Sequence, residues 1–334
     1  MTPDKPKRRP RYSGRNPRHF ADKYKEHAPE QYSEEVAKVL AGGKTPAGTH
    51  RPVMVREILQ VLAPSAGDIA VDCTLGYGGH ARELLKAIQP GGHMIGLDID
   101  PIELPKTEAR LRQLGFGPEA FTAHRMNYAG VAKMLRSPAD LILADLGLSS
   151  MQIDNPTRGF TYKYDGPLDL RMNPQRGQPA SALLASMDQD KLAALLIENS
   201  DEPDAEKLAR AMLQTSIVTT TDLSTIIRRT SRDEDSLRRV FQALRIAVND
   251  EFGALDALLR SLPQCLSPGG RVAILTFHSG EDRRVKKAFQ AGERAGTYAE
   301  IAHEALRPAP DEVRANPRSR SAKLRWARRA SEDS

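Results

Sequence analysis

The sequence predicts an α/β fold, in which helices cover both faces of a parallel sheet and a mostly helical insertion follows the fourth strand. From residue 69 to residue 145, short apolar runs alternate with amphipathic segments of helical periodicity. The alternation then stops, and residues 181–248 carry apolar side chains at helical spacing. Strand and helix patterns resume after residue 249, so the helical segment interrupts a single sheet.

A basic extension precedes these elements. Residues 1–30 hold few apolar side chains, many Pro and Arg and no periodicity, which predicts disorder. Residues 33–40 are a candidate short helix, and the Gly-containing residues 41–48 are typical of a linker. We therefore assign residues 1–49 to a disordered basic extension and linker, and the globular pattern begins at His50.

Four strands and their helices are predicted in the first half of the globular part. Each strand is a short apolar run that ends at a turn or a polar residue. The predicted strands are residues 69–73, 93–97, 120–125 and 140–144, and the predicted helices are residues 53–62, 80–88, 101–114 and 131–135.

The C-terminal part completes the sheet. We predict helices at residues 249–262 and 281–291, a fifth strand at residues 272–276, and a closing antiparallel pair at residues 299–305 and 321–327. Residues 50–152 and 249–329 then form the ligand-binding α/β domain, and residues 153–248 form a helical insertion for substrate recognition.

Composition excludes several classes of protein. The chain has 334 residues, of which 40% are hydrophobic, and no apolar run approaches the roughly 18 residues of a membrane span. The N-terminus is basic and Pro-rich, unlike a secretory signal. Cys73 and Cys265 lie far apart without a metal-binding pattern, which predicts buried free thiols. These features predict a soluble cytoplasmic protein without a metal or membrane partner.

Charge is concentrated at the two ends of the chain. Residues 1–25 carry nine Lys and Arg against two acids, a net +7, whereas the whole chain is +6, so the remainder sums to −1. Residues 314–329 add seven Lys and Arg, with Leu324 and Trp326 alternating as in a half-buried strand. Two basic ends predict a polyanionic partner, nucleic acid before membrane, although a solubilising tail would also explain residues 1–25.

Polar or aromatic residues follow the predicted strands. Open parallel sheets bind ligands at the carboxyl ends of their strands, so we expect these side chains to converge on one site. In chain order they are Asp72 with its glycine loop, Asp98, Tyr128, Asp145 and His278.

The glycine loop and Asp98 together predict an adenosine-type cofactor. Gly76, Gly78 and Gly79 allow close backbone approach and offer N–H donors, but alone they fit an ordinary tight turn equally well. The loop lacks the third glycine of the dinucleotide fingerprint, which disfavours an NAD-dependent oxidoreductase. Asp98, about twenty residues beyond the loop, is placed to accept hydrogen bonds from both hydroxyls of a ribose. Asp100 better fits the N-cap of the next helix.

Several longer segments carry a family resemblance. They are residues 50–54 (HRPVM), 78–80 (GGH), 98–101 (DIDP), 145–152 (DLGLSSMQ), 158–160 (RGF), 165–172 (DGPLDLRM), 241–249 (FQALRIAVN), 277–279 (FHS) and 316–325 (NPRSRSAKLR). From His50 to Arg329 the chain resembles the MraW/RsmH family of bacterial 16S rRNA (cytosine-N4)-methyltransferases.

This resemblance implies a class I (Rossmann-like) methyltransferase sheet, with S-adenosyl-L-methionine as methyl donor. It implies as substrate a cytosine in the decoding region of 16S rRNA, within the small ribosomal subunit. The family's oligomeric state, monomer or dimer, stays open. The implied cofactor contacts are Gly78, Gly79, His80, Asp98, Tyr128, Asp145 and Gln152.

The chain departs from the family pattern at four places. Tyr128 stands where Phe is usual, and Gly280 stands where Leu is usual. Residues 197–203 (IENSDEP) replace a segment that usually resembles Tyr-Gly-Glu-Glu, and the basic extension before His50 is uncommon.

The catalytic candidates are Asp145, His278 and Ser279. The N4 amine of cytosine is a weak nucleophile, so methyl transfer needs alignment and an acceptor for its proton. Asp145 can be that acceptor or can bind the methionine part of the cofactor, because residues 145–148 (DLGL) replace the Asp/Asn-Pro-Pro-aromatic signature of amino-methyltransferases. His278 can equally serve as a cap for the next helix.

Residues 150–180 are candidates for RNA contact, because they are dense in Gly, Arg and aromatic side chains. An extruded base could stack on Phe160, Tyr162 or Tyr164, and phosphates could bind Arg158, Arg171 or Arg176. Two alternatives stay open: a methyltransferase for another nucleic acid, and a non-enzymatic rRNA-binding assembly factor with a residual cofactor pocket.

Overall fold

Seven strands pair into one sheet. The computed structural model describes residues 52–331. The strands cross the sheet in the order β3-β2-β1-β4-β5-β7-β6, and the order reverses between β1 and β4, where open α/β sheets bind ligands. The strands are β1 (Ile69–Asp72), β2 (His93–Asp98), β3 (Phe121–Arg125), β4 (Ala139–Asp145), β5 (Leu266–Thr276), β6 (Tyr298–Ile301) and β7 (Lys323–Arg329).

Strands β1 to β5 pair with one another in parallel, whereas β7 pairs antiparallel with both β5 and β6. This arrangement is the class I methyltransferase sheet, and it confirms the predicted fold class.

Helices connect the strands and form the insertion. They are α1 (Val55–Leu62), α2 (Gly79–Ile88), α3 (Glu103–Gln113), α4 (Val131–Met134), α5 (Ser150–Asp154), α6 (Ala180–Ala185), α7 (Gln189–Ser200), α8 (Ala205–Leu213), α9 (Thr220–Thr230), α10 (Ser236–Asn249), α11 (Glu251–Cys265), α12 (Ser279–Arg294) and α13 (Pro310–Ala315). Short 3-10 turns lie at Tyr128–Gly130, Pro156–Arg158 and Pro317–Ser321.

Both faces of the sheet are buried because successive strand residues point to opposite sides. In β4, Ile142 packs in a hydrophobic cluster with Leu258 of α11. The next residue, Leu143, packs in a cluster on the other face with Leu84 of α2. Continuous apolar runs are therefore required in the central strands, and this requirement is the pattern that predicted them.

The segment between β4 and β5 has a hydrophobic cluster of its own, whose buried members run from Phe160 to Leu244. Asn249, the last residue of α10, holds the start of this segment. Its side chain donates to the Leu170 carbonyl and accepts from the Met172 N–H, both at 2.7 Å.

Several predicted boundaries are wrong. β5 begins at Leu266 rather than at residue 272, and residues 267–270 lie within the strand, where its pairing with β4 shifts register. The helix predicted from residue 101 begins at Glu103. The strand predicted at residues 299–305 ends at Ile301. The closing antiparallel pair is confirmed.

The remaining expectations have mixed outcomes. Cys73 and Cys265 are buried and free, as predicted. The predicted extension, with its candidate helix at residues 33–40, lies outside the described residues. Between residues 52 and 331, the structure contains no helix with both the length and the apolar character needed to cross a membrane.

Candidate active site

The carboxyl ends of β1, β2 and β4 place three acids around the start of α2. Asp72, Asp98 and Asp145 are the last residues of these strands. Thr74 links two of the strand ends: its N–H donates to Asp72 Oδ1 at 3.0 Å, and its hydroxyl accepts from the Asp145 N–H at 2.6 Å. The predicted convergence of these acids is therefore present.

The loop between β1 and α2 needs glycine for backbone geometry and packing. Gly78 has a φ of 80°, which side chains rarely tolerate. A Cβ on Gly79 would lie 2.4 Å from Pro52 Cγ. The Gly76 carbonyl accepts from the Thr107 hydroxyl at 2.5 Å, which fixes the loop against α3. The loop is thus held open toward the ends of β1 and β2.

Asp98 braces this loop and keeps hydrogen-bonding capacity. Oδ2 accepts from the Gly76 N–H and Oδ1 from the Asp100 N–H, each at 2.8 Å. A carboxylate oxygen has two lone pairs, so each oxygen can accept one further hydrogen bond. Burial, opposed by the backbone hydrogen bonds, raises the pKa of Asp98 to about 6. The side chain is therefore ionised at neutral pH.

Asp100 is a buried junction that sequence reasoning treated only as a helix cap. It is fully buried, and its Oδ1 accepts from the N–H of Ile102 at 2.8 Å. The N-cap residue of α3 is Ile102, so the predicted cap at Asp100 is wrong. Its Oδ2 accepts from Gln152 Nε2 at 2.8 Å and from Arg158 Nη1 at 2.9 Å. The loop after β2 is therefore tied to the start of the insertion.

Gln152 is occupied by bonds within the protein. Besides its bond to Asp100, its Oε1 accepts from the Ser149 N–H at 3.0 Å and closes a capping box on α5. Contact between Gln152 and a cofactor stays a prediction, and the visible role of this side chain is to hold the loop that carries Asp98.

Asp145 is the most perturbed acid of the site. Burial, together with the negative charge of Glu281, raises the pKa of Asp145 to about 7. Its Oδ2 lies 3.5 Å from His80 Nδ1. Within the part of the chain that the structure describes, Oδ1 has no hydrogen-bond partner. A buried carboxyl oxygen without a partner is costly, and such atoms mark sites of function.

Tyr128 lies beside a buried charge network. Burial and the charges of Glu251 and Glu281 raise the pKa of its hydroxyl far above the usual range. Arg245 of α10 pairs with Glu251 through two hydrogen bonds of 2.8 and 2.9 Å. The ring is packed against the sheet core, and its contact with adenine stays a prediction.

His278 is the N-cap residue of α12. Its Nε2 lies 3.2 Å from Glu281 Oε1, and the Phe277 N–H donates to Glu281 Oε2 at 2.8 Å. Although burial opposes ionisation, His278, Arg245 and the Phe277 N–H lower the pKa of Glu281. His278 therefore has the capping position that was the alternative to catalysis, and its catalytic role stays a prediction.

Ser279 is exposed at the first turn of α12, and its hydroxyl lies 3.4 Å from Asp201 Oδ2 in the insertion. The next residue, Gly280, stands where the family usually has Leu, and packing explains this difference. A Cβ on Gly280 would lie 2.6 Å from Phe252 Cζ, so the Phe252 ring occupies the space of a larger side chain. Nothing in these contacts tests Ser279 as a catalytic group.

Two of the predicted RNA-contact residues are buried, and a third is half-buried. Arg158 is 7% exposed and paired with Asp100, and Phe160 lies in the cluster of the insertion. Tyr162 packs edge-on against Phe241, with ring centroids 5.4 Å apart. These side chains pack within the insertion, and their contact with RNA stays a prediction.

The other RNA-contact candidates lie nearer the surface. Tyr164 and Arg176 are exposed, and Arg171 is paired with Asp169 at 2.7 Å. In the C-terminal basic cluster, Arg325 is buried against Asp282 at 2.6 Å. The charge of Arg325 is therefore balanced within the protein.

Asp98→Ala should lower the affinity for S-adenosylmethionine about ten- to a hundredfold, because a hydrogen bond to a charged acceptor contributes roughly 1.5–3 kcal/mol. Calorimetry measures this loss. Since the pKa of Asp98 is raised to about 6, wild-type affinity should also fall as the pH drops below 6 and the carboxylate gains a proton.

Thr107→Val is the matched control, because it removes a brace of the same loop without touching the carboxylate. If both variants lose affinity equally, Asp98 acts through the loop alone and has no direct role toward a ribose.

Comparison with known proteins supplies the context for this site. Residues 47–330 match the MraW methylase family. Ribosomal RNA small subunit methyltransferase H 2 of Alkaliphilus metalliredigens is 49% identical, with 98% of this chain and 99% of that protein covered. Ribosomal RNA small subunit methyltransferase H 1 of Lachnoclostridium phytofermentans is 47% identical, with 97% and 93% covered.

A third relative, ribosomal RNA small subunit methyltransferase H of Rubrobacter xylanophilus, is 39% identical, with 86% of this chain and 97% of that protein covered. The first two alignments cover 98% and 97% of this chain, so both include most of residues 1–49.

Proposed function

The chain belongs to the MraW methylase family, and we propose that it methylates the N4 amine of a cytosine in the decoding region of 16S rRNA, within the small ribosomal subunit. S-adenosyl-L-methionine is the cofactor. The names of relatives that cover nearly the whole chain support small-subunit rRNA as the substrate. The observation that carries the chemistry is the buried Asp145 Oδ1 beside the glycine loop, unpartnered among the described residues.

The residues at the strand ends fit an adenosyl cofactor. Asp98 retains an acceptor position on each oxygen for the two ribose hydroxyls, while its bonds to Gly76 and Asp100 fix its orientation. Gly78 and Gly79 open α2 without side chains that would fill the loop, and Tyr128 can lie against adenine. When bound, the cofactor supplies an electrophilic methyl group on a sulfonium sulfur.

The protein's contribution to transfer is alignment and proton acceptance. The lone pair of the cytosine amine is delocalised into its ring, so holding the nitrogen in line with the methyl carbon supplies a large part of the rate enhancement. Asp145 lies at the switch point of the sheet, and its carboxyl group, whose side chain is 29% exposed, can accept a hydrogen bond from the amine. Electron density then stays on the nitrogen, and a proton can leave it late in the reaction.

The insertion and the basic regions support recognition of RNA rather than of a free nucleoside. The target base must leave its stack to reach the strand ends, and exposed Tyr164 and Arg176 remain candidates for contact with it. Residues 1–25 add a net charge of +7, which favours attraction to phosphates.

Methyl transfer to isolated small subunits that lack the modification tests this function. Labelled S-adenosylmethionine should place one methyl group on one cytosine, at N4, and digestion with mass spectrometry would locate it. Naked 16S rRNA and DNA of the same sequence serve as comparison substrates. Transfer to either in preference to subunits would reassign the substrate, and cofactor binding without any transfer would support the assembly-factor alternative.

A further inference from the structure

His80 is the second residue of α2, and its imidazole lies inside the protein with 8% of the residue exposed. Its Nε2 lies 2.8 Å from the Val53 carbonyl oxygen. A carbonyl only accepts hydrogen bonds, so Nε2 carries the ring proton and the neutral imidazole has its lone pair on Nδ1. Burial lowers the pKa of His80, although the Val53 contact and the charges of Asp72 and Glu312 oppose this shift.

The Nδ1 atom faces the carboxyl group of Asp145. It lies 3.5 Å from Oδ2, whereas Oδ1 has no hydrogen-bond partner among residues 52–331. The other titratable groups that act on this pair are Asp72 of β1, Glu281 of α12 and Glu312 of α13. Asp72 and Glu312 favour a positive charge on His80, whereas Glu281 acts on Asp145.

At neutral pH, Asp145 is present in both its ionised and its protonated form. The pKa of Asp145 is raised to about 7 by burial and by Glu281, so much of the population carries a carboxylic acid at neutral pH. A carboxylic acid alone is a weak proton acceptor. The carboxylic acid becomes an effective proton acceptor if its hydroxyl proton passes to a base while its other oxygen receives a proton.

We propose that His80 is a positioning residue that receives, through Asp145, the proton released by the methylated amine; this inference rests on the function proposed above. The N4–carbon bond forms as the carbon–sulfur bond breaks with its electron pair on sulfur. The N4 proton then passes to the Asp145 carboxyl group while the proton that this group already carries passes to His80 Nδ1. The carboxyl group stays neutral, and the imidazole becomes an imidazolium.

The geometry is compatible with this relay. A separation of 3.5 Å is long for proton transfer, and catalytic hydrogen bonds commonly shorten when substrate binds. The Val53 carbonyl holds the ring in the tautomer that presents a lone pair to Asp145. An imidazolium would therefore have a carbonyl acceptor on one nitrogen and a carboxyl group on the other.

Two substitutions separate proton uptake from packing. His80→Gln has a side-chain N–H that can reach the Val53 carbonyl, but it has no group that can take a proton beside Asp145. His80→Asn offers an amide oxygen in place of Nδ1, which accepts a hydrogen bond but not a proton. Both variants leave Asp145 as the sole proton acceptor.

The single-turnover rate on small subunits should then respond differently to pH. We expect a flat wild-type profile between pH 6 and pH 8. Both variants require ionised Asp145, so their rates should be about tenfold lower at pH 6 than at pH 8, as the ionised fraction falls through a pKa of about 7. Parallel profiles in all three proteins would overturn proton uptake by His80. If the rate of His80→Asn depended on pH as the wild-type rate does, proton uptake by His80 would also be overturned.

A second measurement does not depend on activity. Nitrogen NMR of histidine-labelled protein should show His80 as the Nε2–H tautomer, and Asp145→Asn should move its Nδ1 resonance. A protonated Nδ1 in the resting protein would contradict the relay. If wild-type protein transfers no methyl group at any pH, the proposed function itself fails. Transfer with unchanged profiles in the variants would reject only the role of His80.

Discussion

Asp145→Asn should lower the single-turnover rate of methyl transfer by about 10²–10⁴-fold, the usual contribution of a positioned proton acceptor. The amide has the shape of the carboxyl group and can accept a hydrogen bond from an amine, but it cannot take a proton at neutral pH. Its Nδ2 can donate to His80 Nδ1, so the packing at the end of β4 should be retained. The affinity for S-adenosylmethionine, measured by calorimetry, should change far less than the rate.

Asp140→Asn is the matched control for this substitution. Asp140 lies near the start of the same strand, where its Oδ2 accepts from the Ile69 N–H at 2.9 Å. An amide oxygen can accept the same bond, so rate and affinity should stay near wild type. If Asp145→Asn weakens cofactor binding as much as it slows transfer, Asp145 is a cofactor ligand alone. His278 then becomes the leading candidate for the proton acceptor.

The positions of the site acids could be predicted because of how parallel strands are buried. A central strand needs apolar side chains on both faces, so the first polar residue after an apolar run marks its carboxyl end. β2 ends at Asp98 and β4 ends at Asp145 for this reason. Topology then brings these ends together, and the sequence pattern of strand and helix already implied that topology.

The directions of side chains in the insertion could not be predicted in this way. Arg158 belongs to a segment that resembles a nucleic-acid contact, and a charged side chain is buried only where a partner compensates it. That partner, Asp100, lies 58 positions away in the sequence. The contact between His80 and Asp145 was hidden for the same reason. Its one sequence signal is a histidine directly after the glycines of the cofactor loop.

Arg158→Met should lower the free energy of unfolding by about 3–5 kcal/mol, the range for a buried pair that loses one partner. Nη1 donates to Asp100 Oδ2 at 2.9 Å, and Nη2 donates to the carbonyls of Arg171 and Met172 at 3.2 and 2.9 Å. Asp100 has no exposed surface, so water cannot replace the lost partner. Methionine fills a similar volume, and the loss therefore measures charge and hydrogen bonding rather than a cavity.

Urea unfolding of three variants tests this prediction. Arg176→Met removes an exposed arginine from the same segment and should change stability by less than about 0.5 kcal/mol. Asp100→Asn combined with Arg158→Met leaves no unpaired buried charge, and asparagine can still accept from the Ile102 N–H, so part of the loss should be recovered. Because the Asp100 N–H donates to Asp98 Oδ1, Arg158→Met should also weaken cofactor binding. If it unfolds like Arg176→Met with unchanged affinity, the Arg158–Asp100 pair does not couple the insertion to the cofactor loop.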